Sequence, residues 1–184
     1  GGEMDPIFNQ ILIESFGASP FKPLPGDIRH DDASSATALI AAFKRVFNCE
    51  KAREVSNVVF YWCVSTPYVH TDGKQFPSTI SYIEIATGTL SGRWTSFSFL
   101  REGEEDAPGD LRHLAKNNDN LAFYSRLIRE YGPMRVLYAT LDDMNTSALR
   151  HEKQKRENVR DWERHLLKAY KTAHGVLPLK NRRC

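Results

Sequence analysis

The chain has 184 residues, 41% hydrophobic and 26% charged, with a formal net charge of +2, which describes a soluble globular protein of one domain with room for an extension. No apolar stretch approaches the roughly 18 residues that a membrane span requires, and nothing resembles a secretory signal, so no membrane partner is expected. Three cysteines, odd in number and without CxxC spacing, argue for a reducing, cytoplasmic setting and against a zinc ribbon or a disulfide framework.

Gly1-Gly2-Glu3 ahead of Met4 reads as a cloning scar, residues 4–56 as a helical N-terminal extension, and residues 57–184 as the main domain. Within the extension, Pro6 to Phe16 has apolar residues at helical spacing, with Asp5 as N-cap and Gly17 as stop. Residues 17–27 hold three prolines and two glycines and should wander over the surface. A second helix follows Asp31-Asp32, with Ala36, Leu39, Ile40, Phe43 and Phe47 on one stripe. These helices are expected to pack on the main domain; a homodimer or partner contact, or DNA, is the alternative use for them.

Val58 to Val64 is a continuous apolar run, expected to be a buried strand. Ser65 to Ser78 reads as a long hairpin connection, and Thr79 to Ile85 as the return strand, with Ile80, Tyr82 and Glu84 on one face. A helix is expected from Leu90 to Phe97, then an exposed acidic insertion from Arg101 to Asp110. Asn118 to Tyr131 reads as a helix closed by Gly132-Pro133, Met134 to Leu141 as a third strand, and Asn145 to His174 as a helical stretch broken in its polar middle. No period of 20–50 residues repeats. The expected fold is a small α/β (α+β) domain, a three-stranded mixed or antiparallel sheet flanked by helices.

Charge is unevenly placed. Residues 145–184 carry 11 Lys/Arg against 4 Asp/Glu, whereas residues 1–57 carry 6 against 8 and residues 58–144 carry 8 against 11. A basic end on a near-neutral chain is a footprint for a phosphate backbone, with a solvated helix face laced by ion pairs as the plainer alternative. Arg156, Arg160, Arg164 and Lys168 are the candidate phosphate contacts.

Several residues along the chain suit phosphoryl chemistry. If the hairpin register allows, Tyr61 and Tyr82 share a sheet face, where their phenols could receive or relay a proton; otherwise both are core tyrosines. Arg93, at a helix start, has a guanidinium that can clamp two phosphoryl oxygens, or pair at the surface. Glu163 lies beside an apolar stripe through Val159, Trp162, Leu166, Ala169 and Tyr170. A carboxylate at that margin loses solvation and wants a cation, either Mg²⁺ or a neighbouring Lys168, Arg160 or Lys171. Asn181 alone is a turn former. Histidine spacings offer no zinc site, and there is no P-loop, dinucleotide fingerprint or GxSxG elbow.

Taken in order, Val59-Phe60-Tyr61, Tyr82-Ile83-Glu84, the Thr87 to Trp94 segment with Arg93, Trp162 to Leu167 with Glu163, and Leu177 to Asn181 resemble the GIY-YIG endonuclease family. The resemblance runs from about Val58 to Asn181. It implies a Mg²⁺-dependent nuclease (Mn²⁺ as substitute) acting on DNA, with RNA as the other polymer, of the kind met in restriction, mobile-element or defence processes. In that frame Tyr61 or Tyr82 activates water, Arg93 stabilises the phosphorus centre, Glu163 holds the one metal, and Asn181 positions the end of the fold or a phosphate. Three departures stand out. Val59 and Glu84 replace motif glycines, and Glu84 could crowd the site, repel phosphate or add a metal ligand. Ser96-Phe97 falls where many members carry histidine, for which His113 is a candidate substitute. The competing expectation, favoured by Glu84, is a catalytically weakened nucleic-acid-binding or protein-interaction module on the same fold.

Overall fold

The computed structural model describes residues 5–69, 77–93, 120–148 and 156–181. Its chain order is α1 (Pro6–Phe16), β1 (Lys22–Pro23), a 3₁₀ turn (His30–Ala33), α2 (Ala36–Phe47), α3 (Glu50–Glu54), β2 (Ser56–Val69) and β3 (Pro77–Thr89). The chain continues with α4 (Leu90–Arg93), α5 (Asn120–Tyr131), β4 (Met134–Thr140), α6 (Leu141–Ser147) and α7 (Val159–His174). The four strands form one antiparallel sheet in the order β1-β4-β2-β3.

The expected three-stranded sheet is therefore corrected to four. The extra strand lies in the proline-rich segment expected to wander: Lys22 pairs with Tyr138 and Pro23 with Leu137. Proline is tolerated there because β1 is an edge strand, with one side of its backbone outside the ladder. Buried Phe21, Leu24 and Ile28 hold the segment down, and the Leu24 N–H donates to the Val136 carbonyl at 2.8 Å. The central hairpin also runs further than its apolar residues indicated, to Val69 and back from Pro77. The expected helical stretch from Asn145 to His174 is, among the described residues, two helices: α6 begins earlier and ends at Ser147, and α7 starts at Val159.

Strand β2 is apolar at successive positions because both faces of the sheet are covered. Val58, Phe60, Trp62 and Val64 face a core built with α2 and α5, where Phe43, Phe47 and Tyr124 pack around Trp62. Val59 and Tyr61 face a second core built with α1 and α7, where Phe8, Phe16, Trp162 and Leu166 pack. The N-terminal helices thus contribute to both layers.

Three distant segments are fastened in the second core by a buried polar cluster. Asp5 caps α1, its Oδ1 accepting from the Ile7 and Phe8 N–H groups at 3.0 Å each. Its Oδ2 accepts from the Ser78 hydroxyl at 2.7 Å and lies 3.2 Å from His174 Nε2. Ser78 also shares a 2.7 Å hydrogen bond with the Tyr170 hydroxyl. Burial alone would raise the Asp5 carboxyl, but hydrogen bonds from His174, the Phe8 N–H and Ser78 outweigh it and leave the pKa lowered.

Candidate active site

The site forms where edge strand β3 turns into α4 and meets the first turns of α7. Alternation along β3 puts Tyr82 and Glu84 on the same face, two residues apart, and the Tyr82 hydroxyl donates to Glu84 Oε2 at 2.6 Å. Glu84 Oε1 accepts from the Ile85 N–H at 2.9 Å. The chain then leaves the strand through a tight turn. Gly92 donates its N–H to Thr89 Oγ1 at 3.0 Å, and a β-carbon on Gly92 would stand only 2.9 Å from that oxygen. The turn returns Arg93 toward the strand, where its Nη2 lies 3.2 Å from Glu84 Oε2.

Glu163 arrives from the other layer. Asn158 caps α7 by accepting from the Asp161 N–H at 2.9 Å, and Trp162, Leu166 and Tyr170 seat the helix in the second core. That seating leaves Glu163 at the margin of the stripe, where its carboxyl comes within electrostatic reach of Glu84. Glu84, Arg93, Arg160 and Glu163, with Thr87, Gly88 and Thr89, line an open cavity of about 650 Å³.

The two carboxyl groups are not equivalent. Burial pushes Glu163 up most, and the hydrogen bond and charge of Glu84 add to it, bringing it to about 8. Burial acts the same way on Glu84, but hydrogen bonds from Tyr82, the Ile85 N–H and Glu163, with the Arg93 charge, leave it lowered. Two carboxyls that share one cavity and interact this strongly hold one proton between them. Glu84, with more donors aimed at it, carries the charge. The Tyr82 hydroxyl is raised by burial first and then by Glu84, so it remains a donor.

The structure separates the two tyrosines. Trp62 lies opposite Tyr82 and Tyr61 opposite Ile83, so the side chains occupy opposite faces, correcting the expectation of a shared one. Tyr61 packs edge-on against Phe8 and Phe21 in the second core, away from the cavity. Asn181 is engaged with the fold: its Oδ1 accepts from the Ile83 N–H at 2.9 Å and its Nδ2 donates to the Ile83 carbonyl at 2.8 Å. Of the alternatives for it, fixing the end of the fold is the one seen.

The basic candidates divide. Arg160 lines the cavity. Arg156 does not; its backbone bonds to the Asn145 side chain and its guanidinium lies 5.6 Å from the Trp162 ring centroid. Arg164 pairs with Asp161 at 3.2 Å, the ordinary helix-face arrangement, and Lys168 is exposed. His113 lies outside the described residues. Glu84, expected to crowd the site, repel phosphate or add a metal ligand, is the hub that joins Tyr82 and Arg93 and faces Glu163. Its signal was there in the i, i+2 spacing from Tyr82.

As a donor set, two carboxylates facing an open cavity fit Mg²⁺, which takes one or two such ligands and completes its shell with water and phosphate oxygens. Among the described residues no group of three or more His, Cys, Asp or Glu side chains gathers. In comparisons with known proteins, the chain matches no family model, no curated protein and no solved structure.

Proposed function

We propose that this protein is a divalent-cation-dependent endonuclease of GIY-YIG type that hydrolyses phosphodiester bonds in DNA. The observation that carries the reading is the meeting of Arg93, Glu163 and Glu84, the last held from behind by Tyr82, around one cavity that Arg160 also lines. A cavity with two guanidinium groups beside two carboxyls matches what a phosphodiester cut requires: cations for the phosphoryl oxygens and a proton acceptor for water.

In this mechanism the scissile phosphate enters the cavity and takes the Arg93 guanidinium from Glu84, with Arg160 holding a second oxygen. Arg93 is well suited to this, because a guanidinium can bind two phosphoryl oxygens at once. Glu84, released from that ion pair and still held by Tyr82 and the Ile85 N–H, accepts a proton from water. The water oxygen bonds to phosphorus in line with the departing sugar oxygen, whose bond to phosphorus breaks and which takes a proton from solvent. Tyr82 acts here as a positioning residue for Glu84. Glu163, with Glu84 in reach, would hold the Mg²⁺ or Mn²⁺ ion, which when bound supplies charge stabilisation at the leaving oxygen.

A second reading rests on the Glu84–Arg93 ion pair. A carboxylate covering the phosphate-binding guanidinium suits a module that binds nucleic acid without cutting it. Plasmid cleavage with Mg²⁺, with EDTA, and with Glu163→Ala at one salt concentration separates the two. Nicking or linearisation lost in both controls is the expected result. Salt-sensitive binding without cleavage of duplex, single-stranded or RNA substrates would overturn the nuclease in favour of the binding module.

A further inference from the structure

A second cavity lies on the opposite face of the sheet, under α1, with a volume of about 170 Å³. Its walls are apolar and aromatic: Phe8 and Leu12 from α1, Phe21 from the segment before β1, and Leu137 from β4. Phe8 and Phe21 both meet the Tyr61 ring edge-on, at centroid distances of 5.2 and 4.9 Å.

Polar groups also line it, Asn9, Ser19 and Thr79 among them, and two others carry the argument. Tyr61 is only 7% exposed and lines the cavity, where its hydroxyl can meet a hydrogen-bond acceptor that enters. Tyrosines set among apolar side chains ordinarily find a partner for the hydroxyl. Burial also holds the Tyr61 pKa well above its ordinary value, so the group is a donor at any physiological pH. The second group is Arg135. It lies on β4 two residues from Leu137, the residue opposite Tyr61, and it also lines the cavity. Its ion pair with Asp27 is a loose 3.6 Å contact with both side chains a third exposed. Asp5 borders the cavity too, but its oxygens are occupied by the α1 N–H groups, Ser78 and His174.

We infer that this cavity is a binding site for a small aromatic carboxylate of one ring, with the ring among Phe8, Leu12 and Phe21 and the carboxylate on Tyr61 and Arg135. The volume fixes the size class, since an apolar cavity of about 150 Å³ admits benzene. The aromatic walls select a flat ring, and the O–H donor beside a guanidinium selects an anion over a neutral head group. This site is separate from the Glu84–Glu163 cavity, and the inference stands whether or not the protein is a nuclease.

The test is ligand-observed ¹⁹F NMR of the full chain with 4-fluorobenzoate as probe and fluorobenzene as its neutral counterpart. Saturable binding of the benzoate, at least about tenfold tighter than fluorobenzene, is expected. Tyr61→Phe and Arg135→Met should each weaken the benzoate by about tenfold while leaving fluorobenzene nearly unchanged. Absence of saturable benzoate binding, equal binding of the two probes, or benzoate binding unaffected by both substitutions would each overturn the inference. The comparison of probes on the unmodified chain decides the question even if a variant fails to fold.

Discussion

At the residue scale, Glu84 and Glu163 set the chemistry of the candidate active site through a shared proton. Glu163 has a folded pKa of about 8, raised above its ordinary value of 4.5. The protonated form is therefore the one that suits the metal-free fold. Its contribution to stability is fully present below about pH 4.5 and is lost as pH rises toward and through about 8. Glu163→Gln keeps a neutral group there at every pH. Thermal unfolding in EDTA should show the variant and the parent close together at pH 5, with the variant the more stable at pH 8.5. A gap that does not widen with pH would remove the shared proton from the account.

Arg93 offers a sharper probe of catalysis at the same scale. Arg93→Lys retains the positive charge but loses the planar fork that can hold two phosphoryl oxygens. Cleavage should fall by about 10²-fold or more, with DNA affinity changed only slightly, because the fork matters most as charge develops at phosphorus. Cleavage assays paired with binding titrations would show this; a loss confined to affinity would demote Arg93 to an ordinary phosphate contact.

At the element scale, the edge strand β3 carries the site, and an edge must be closed if it is to stay rigid and unpaired with other chains. The Asn181 amide does this at Ile83 by bonding both its N–H and its carbonyl, and the Lys180 N–H donates to Ser81 nearby. The 180–181 segment thereby stands in for a short fifth strand. It can do so because Gly175, at φ 81°, ends α7 in the left-handed conformation that glycine adopts without strain, and the chain turns back toward β3. Asn181→Ala should cost about 1–2 kcal/mol for the two bonds and speed hydrogen exchange at the Ile83 amide. Exchange there unchanged from the parent would show that the edge is held by other means.

The helix that delivers Glu163 illustrates what element-level reading can supply. The apolar stripe through Trp162, Leu166 and Tyr170 was legible from spacing alone, and it is the buried face of α7. A residue one step off that stripe must sit at the margin, as Glu163 does. The partner it meets there belongs to a strand nearly eighty positions earlier, and no local pattern encodes that meeting.

At the scale of the whole molecule, one sheet separates two cores, and the polar cluster of Asp5, Ser78, Tyr170 and His174 ties the beginning of the described chain to its end. Asp5→Asn keeps an N-cap acceptor for α1 but loses the charged oxygen that faces Ser78 and His174. A loss of about 1.5–3 kcal/mol at neutral pH is expected, the range for hydrogen bonds to charged groups. Because the folded pKa of Asp5 is lowered, its contribution is present above the ordinary value near 3.8 and is lost as pH falls through the folded value. Denaturant melts should therefore show the difference between parent and variant shrinking in acid; a constant difference would place the effect in packing instead of charge.

By itself the sequence determined the helical stripes, the α1 cap, the central hairpin, the third long strand, and the placing of Tyr82 with Glu84 on one face, but not of Ile80 with them, which a register shift turns into the second core. All of these follow from local periodicity and capping chemistry. Only the tertiary structure decided the rest. The register of β2 against β3 was unreadable because β2 is apolar on both faces, leaving no alternation to fix it, and a shift of one residue moves every side chain to the other face. That register carries Tyr61 away from Tyr82 and into the second cavity. The two-residue strand β1 was hidden because prolines mark a loop in sequence yet are tolerated at a sheet edge. The convergence of Glu84, Arg93 and Glu163 was hidden for a related reason: a contact between a strand, a turn and a distant helix is fixed by how the layers pack, and packing has no period along the chain.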